Sequence, residues 1–499
     1  MSELEIDGSQ LEGGGQLLRI SLSLSCLLNR NVHISKIRSN RSKPGLAAQH
    51  LTGVRLISKL SHGSKLDGDR IGSTDIKFYP NDRLNGQTDY ISDCGTAGSI
   101  TLMIQISLPC LAYISKHIAS ACSSSSSNDR DYPIHIRYIG GTNVSTSPPI
   151  DHFKHVLLPL LEHHFGIDAK VAITKRGYYP KGGGIVDLYV KPIHSLTPLY
   201  LSEVGHLVSC NCVVYGNTSQ TNINDMKRLI QEYISKNPLV GVDGSVINSI
   251  VFYDSETSEE VCESPSQSLS TSFSSSVPAP TNSSSVISVN EQPVQPVYKR
   301  QRSDVNTGIG CQLWVCTSTH CILSANIYID TKTSQTPEIN IHHITTCINT
   351  VMSELYTLIH SGACVDEYTA DQLAIYMALA KGQSTMLVEP EGIHSSLHLE
   401  TVMKICHDFL PNVIFTTTSQ EGQNSDFCGD TRECQPSTKS SEYITDSNRD
   451  IPNNNISKED TLIHDSLIPA VPASTSDLVP VARCRLVTCT GAAYSPDDV

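Results

Sequence analysis

Ser361-Gly-Ala-Cys-Val-Asp-Glu-Tyr-Thr-Ala-Asp-Gln-Leu373 opens the stretch around which the chain is organised, residues 361–403. Between 371 and 380, Leu373, Ala374, Met377 and Ala378 recur at helical spacing, with Ala380 close by. Asp366, Glu367, Tyr368, Asp371 and Gln372 crowd the start of that helix. Acidic and amide groups in such places serve as caps as readily as ligand contacts, so both readings stand. After a gap comes His394-Ser-Ser-Leu-His398-Leu-Glu-Thr401. A second amphipathic segment, 399–410, carries Val402, Ile405, Cys406 and Phe409 on one face. This spacing puts His398 at a helix N-terminus. The positive end of the helix dipole lowers an imidazole pKa there and keeps a ring nitrogen free to act as a nucleophile. A capping or surface histidine gives the same pattern, and among 19 histidines position alone decides nothing.

Working outward, several glycine loops stand where helices should begin. A short strand at 3–7 leads into Gly8-Ser-Gln-Leu-Glu12-Gly-Gly-Gly-Gln16 and an apolar segment, 17–28. Strand, glycine loop and helix bring backbone N–H groups toward an anion, although the Lys-Ser/Thr pair of a Walker loop is missing. Residues 20–25 alternate apolar and serine, so a strand competes with the helix, which the segment's length favours. A strand at 32–37 precedes Arg38-Ser-Asn-Arg41-Ser-Lys43-Pro-Gly45, three cations in a loop suited to phosphates or to a solvated turn. Asp93-Cys-Gly-Thr-Ala-Gly-Ser99 opens another apolar helix, 100–113, in which Gln105 needs a polar partner. Strands are expected at 75–79, 134–139 and 185–190, with a helix at 151–165. His152 and His155 lie on that helix with no third ligand evident and are taken as non-metal residues. A separate module follows at about 197–330, and a helix at 339–360. The last strand is expected at 483–489. Alternating strands and helices predict an α/β chain of repeated two-layer units, although no sequence period shows.

The chain has 499 residues, enough for two or three domains. Hydrophobic residues at 39% and charged residues at 17% are both low for a wholly compact chain. Serine-rich runs at 120–131, 254–306 and 416–478 account for much of that dilution and are expected to be disordered or loop-like. A net charge of −14 excludes a general nucleic-acid-coating surface, though local arginines can still grip one polynucleotide end. Seventeen cysteines without a Cys-x-x-Cys pair argue against a zinc ribbon or thioredoxin-type motif. No signal peptide or membrane-length apolar run is read, which predicts a reduced intracellular protein. Lys299-Arg-Gln-Arg302 is a short basic patch of nuclear-import type.

Taken in order, the motifs resemble those of the RNA 3′-terminal phosphate cyclase family. The matching stretches are Asp7–Arg19, Ile37–Gly45, Gly95–Ser99, Gly140–Thr142, Arg176–Gly184, Cys364–Gln372 and His398. The resemblance implies a large domain of repeated βαβαββ units (1–196, 335–415 and 479–499) with a smaller α/β domain inserted at 197–334. It also implies an ATP-dependent reaction in which His398 takes AMP, passes it to an RNA 3′-phosphate, and the vicinal 2′-OH closes a 2′,3′-cyclic phosphate. By the same resemblance Glu12 is the metal-site carboxylate for Mg²⁺ or Mn²⁺, and Tyr368 and Pro148 sandwich adenine. Gln105, Asp371 and Gln372 belong to the ATP site, and Arg19, Arg38, Arg41 and Gln49 to the RNA or phosphate site. His394, four residues before His398, is the rival nucleophile. RNA 3′-phosphate ends and ATP are the expected partners, with no membrane and no DNA required. The nucleus is the expected compartment, with the cytoplasm left open. The competing reading is a cyclase-like ribosome-assembly scaffold without adenylation, which Glu12, the Gly95–Ser99 loop and His398 oppose. A phosphoenolpyruvate-transferase-like enzyme shares the repeated architecture but leaves the Tyr368–Gln372 motif unexplained.

Overall fold

The computed structural model describes residues 3–81, 88–114, 132–145, 147–253, 255, 308–330, 339–389, 397–419 and 484–495. Its first unit contains β1 (Leu4–Asp7), α1 (Gly15–Leu27), β2 (Val32–Ser35), α2 (Ala48–Leu60), β3 (Lys65–Asp67) and β4 (Ile76–Tyr79). Strands β1 and β2 pair in parallel, Leu4 opposite Val32, which requires a crossover that α1 supplies. Strand β4 then runs antiparallel to both β2 and β3, giving the order β1-β2-β4-β3.

The second unit repeats this path. It contains β5 (Asp89–Asp93), α3 (Ile100–Ala112), β6 (Ile134–Gly140), a composite helix α4, β7 (Ala169–Lys175) and β8 (Gly184–Val190). Helix α4 is a run of segments, Ile150–His152, Phe153–Leu157, Leu158–Leu160 and Leu161–Phe165, of which the second and fourth are π-wound. The strand order is β5-β6-β8-β7, again with a parallel first pair.

The third unit starts with β9 (Tyr200–Leu201) and is interrupted. The inserted module comprises β10 (Leu207–Asn217), α5 (Gln220–Lys236), β11 (Leu239–Val240), β12 (Val246–Ile247), β13 (Val251–Tyr253), β14 (Gly308–Thr317), β15 (Ile322–Asp330) and α6 (Ile341–Ser361). Its main sheet has the order β13-β10-β14-β15, and α6 packs on β14 and β15. Helix α6 lies beyond residue 334, where the sequence reading ended the module, because its apolar face is covered by that sheet. The third unit resumes with α7 (Glu367–Leu379), β16 (Gln383–Val388), α8 (Leu397–Phe409), β17 (Ile414–Ser419) and β18 (Arg485–Thr490). Its order is β9-β16-β18-β17, with β9 and β16 parallel. Strand β17 includes the start of the stretch taken as insert from 416, because Ile414–Ser419 pairs with Arg485–Thr490. Among the described residues, three sheets thus share one topology, and the chain is an α/β protein of βαβαββ units with a smaller inserted α/β module.

Helix α1 is the pivot, packed by α2, α3 and α8. Its alternating serines do not make it a strand. Ser23 donates to the carbonyls of Arg19 (2.9 Å) and Ile106 (2.6 Å), so a small hydroxyl lets α1 approach α3 without leaving a buried donor unpaired. Residues 120–131, 256–306 and 420–478 of the serine-rich runs, the basic patch at 299–302 and His394 lie outside the described residues.

Candidate active site

The loop before α1 explains its three glycines. Gly13 has φ +58°, a conformation that favours glycine. A side chain at Gly14 would collide with the Glu12 carboxylate. A Cβ at Gly15 would lie 2.6 Å from Arg19 Nη1 and 2.7 Å from His50 Nε2. The loop therefore brings Glu12, Arg19 and His50 against bare backbone. Glu12 Oε2 accepts from the Gly14 N–H at 2.8 Å, and Oε1 accepts from Arg41 Nη2 at 2.8 Å.

Arg19 and Gln105, 86 residues apart, meet because α1 packs on α3. Arg19 Nε donates to Gln105 Oε1 at 2.5 Å and Nη2 donates to Gln16 Oε1 at 3.1 Å. This is the polar partner that Gln105 needs. Burial pulls Arg19 down to about 10, with Glu12 and Asp371 opposing, so it stays cationic near neutrality. Burial likewise pushes the Asp371 carboxyl well above its ordinary range. Arg19 works against that shift, whereas Asp366 and Glu367 add to it.

His398, expected just ahead of the helical stretch 399–410, is the second residue of α8. The Glu12 backbone N–H donates to Thr401 Oγ1 at 3.3 Å, fastening the glycine loop to the first turn of α8. Burial lowers the His398 pKa, Glu12 opposes, and Arg19 and Arg41 lower it further. A half-buried, neutral imidazole thus stands within the field of one carboxylate and two guanidinium groups. Its Nδ1 is buried and has no hydrogen-bond partner among the described residues.

The other expected site residues divide by location. Arg38 and Arg41 share a loop, where Arg38 Nη1 donates to the Gly45 carbonyl at 2.8 Å. The Arg38 pKa is lowered by burial first and then by Arg41, with Glu12 opposing. Gln49 Oε1 accepts from the Ser99 N–H at 3.2 Å, joining α2 to the Gly95–Ser99 loop. Pro148 precedes α4, and its carbonyl accepts from Thr101 Oγ1 at 2.8 Å. Tyr368 is 41% exposed on the first turn of α7 and meets His152 of α4 edge-on at 6.2 Å. Pro148 and Tyr368 therefore border the same end of α4. Gln372 is buried and donates from Nε2 to the Tyr368 carbonyl at 2.7 Å. Arg176 grips buried Asp151 with two 2.7 Å bonds, so the Arg176–Gly184 motif anchors α4.

His50 was missed. Its Nδ1 accepts from the Ala47 N–H at 3.2 Å, so Nε2 carries the proton of the neutral ring. Its position beside Gln49 is the sole sequence signal, and a helical contact explains that equally well.

The profile of the family described as "RNA 3'-terminal phosphate cyclase" matches residues 10–415. The chain is 30% identical to the RNA 3'-terminal phosphate cyclase of Drosophila melanogaster over 77% of this chain and 85% of that protein. It is 29% identical to a probable RNA 3'-terminal phosphate cyclase of Dictyostelium discoideum, over 80% of this chain and 76% of that protein. An Archaeoglobus fulgidus protein of the same name is 38% identical over 46% of this chain and 64% of its own length. The alignment with that archaeal relative thus spans less than two thirds of it. Among the described residues, no helix is long and apolar enough to cross a membrane.

Proposed function

Because the chain belongs to the RNA 3'-terminal phosphate cyclase family, we propose that it converts an RNA 3′-terminal phosphate into a 2′,3′-cyclic phosphate, with ATP as the activating substrate. The observation that carries this reading is His398, held neutral at the start of α8 beside Glu12, Arg19 and Arg41. With Nδ1 enclosed, Nε2 is the nitrogen available to a phosphate. Its lone pair attacks the α-phosphorus, the bond to the bridging oxygen of pyrophosphate breaks, and a histidine–AMP phosphoramidate forms. An oxygen of the RNA 3′-phosphate then attacks that AMP phosphorus, and the P–N bond breaks. The vicinal 2′-hydroxyl attacks the activated 3′-phosphorus and loses its proton, and AMP leaves with its bonding pair. Holding the hydroxyl on the same ribose makes closure intramolecular, which removes most of the entropic cost.

In this reading Arg19 and Arg41 neutralise phosphate oxygens, and Tyr368 and Pro148 enclose adenine. Glu12 fits a divalent-ion role. Among the described residues each of its carboxylate oxygens has one partner, so two of about four lone-pair positions would remain for a divalent cation. Mg²⁺ or Mn²⁺ there supplies charge neutralisation when bound. A nuclear location belongs to the same reading, and imaging of a tagged chain tests it.

The direct test mixes protein, α-labelled ATP and a divalent metal without RNA. An acid-labile, base-stable label that is lost in His398→Ala, and that RNA 3′-phosphate chases from the wild-type chain into a cyclic end, is the expected result. No label with any metal would refute the enzyme reading and favour the non-catalytic scaffold.

A further inference from the structure

Asp366, the N-cap of α7, is held by three separate parts of the fold. Its Oδ1 accepts from the Thr369 N–H at 2.8 Å and faces His152 Nε2 of α4 at 3.4 Å. Its Oδ2 accepts from Ser324 Oγ at 2.6 Å. Ser324 lies on β15 of the inserted module. Thr369 Oγ1 lies 3.2 Å from the same His152 nitrogen. These groups are all buried, and Ile322 forms a parallel backbone bridge with Val365 beside them. The inserted module therefore touches the start of α7 through both backbone and side chain.

Tyr368 stands two residues beyond this cap, in the first turn, with its ring against His152. Burial would raise the Asp366 carboxyl, but His152 and the bonds from Ser324 and Thr369 hold it below the ordinary value. The carboxylate so maintained depends on its donors. Without the Ser324 hydroxyl, one charged oxygen loses its short bond inside an enclosed space, and the carboxylate must turn toward its remaining donors. That rotation shifts the first turn of α7, which carries Tyr368.

We propose that Ser324 is a positioning residue for nucleotide binding, through which the inserted module sets the orientation of Tyr368 and hence the affinity for the adenine base. The inference rests on the reading of Tyr368 as the adenine-stacking ring. It gives the inserted module a part in the reaction although the residues assigned to the chemistry lie outside it.

The test compares Ser324→Ala and Ser324→Thr with the wild-type chain in self-adenylation. Ser324→Ala raises the KM for ATP by roughly tenfold, leaves the saturated rate unchanged, and leaves inhibition by pyrophosphate unchanged because pyrophosphate lacks the base. Ser324→Thr keeps the hydroxyl and restores the wild-type KM. Trp314, the single tryptophan of the chain, stacks on His155 of α4 at 4.6 Å, so its fluorescence shows that the module stays docked. An unchanged KM in Ser324→Ala, or an equal loss in KM and saturated rate, overturns the proposal. A wild-type chain that takes no label overturns the cyclase reading and this inference with it. A labelled wild type with an unaltered Ser324→Ala overturns this inference alone.

Discussion

Lowering the pH should destabilise the fold through His50, by an amount that a single substitution removes. The ring is 8% exposed, so solvent screening takes little from its interactions. Burial, then Arg19, then Arg38 push its pKa down to about 3. In the unfolded chain the same ring titrates near 6.5. Below that value the unfolded state takes a proton that the folded state refuses until about pH 3. The His50 contribution is therefore complete above about pH 6.5 and is lost progressively as the pH falls toward 3. At about pH 5 the unfolded state gains close to 1.5 pH units of protonation free energy, or about 2 kcal/mol. Asparagine is the useful replacement, because its side-chain oxygen can still accept the Ala47 N–H that Nδ1 accepts at 3.2 Å. Urea unfolding of wild type and His50→Asn at about pH 8 and about pH 5 gives four stabilities. The drop between the two pH values should be about 2 kcal/mol smaller in the variant. Other histidines with lowered values, including His155 and His164 at about 4, contribute to both chains and cancel in the comparison. Equal drops in the two chains would refute the argument that Arg19 and its enclosure hold His50 neutral.

Two further outcomes follow from side-chain geometry. Tyr368→Ala should raise the ATP concentration needed for half-maximal labelling by at least about fivefold, since base stacking contributes roughly 1–3 kcal/mol; an unchanged requirement would remove Tyr368 from the adenine site. Asp151→Ala leaves Arg176 charged and nearly enclosed without its two 2.7 Å partners, and should cost about 3–5 kcal/mol in urea unfolding. A loss below about 1 kcal/mol would show that Arg176 is held by its bonds to the Ser255 carbonyl instead.

What was legible in the sequence was local. The helix start at His398 and the glycine loop at Glu12 can be read because helical period and left-handed turns depend on neighbours a few residues apart. The same rules found β2, β4, β6 and β8 but passed over the two-residue strands β9, β11 and β12, too short to show alternation, and also β3, β5, β7, β16 and β17. They also left α1 open between strand and helix. There Ser23 is satisfied by the carbonyl of Ile106, 83 positions away. Gln49, expected at the phosphate site, has its Oε1 on the Ser99 N–H across two units.

Residue types and their spacing supply the inventory of this protein: alternating strands and helices, anion-suited loops, and a histidine, a carboxylate and arginines of the right chemical kinds. The tertiary structure alone decided that three units share one strand order without sharing a sequence period, since a sheet position demands apolarity rather than a particular residue. It also decided that Glu12 and Thr401, 389 positions apart, meet, and that Ser324 of the inserted module closes on Asp366. Hydrogen bonds and pKa shifts fall off within a few ångströms of space, whereas sequence order is distance along the chain, and folding connects the two through packed helices and paired strands.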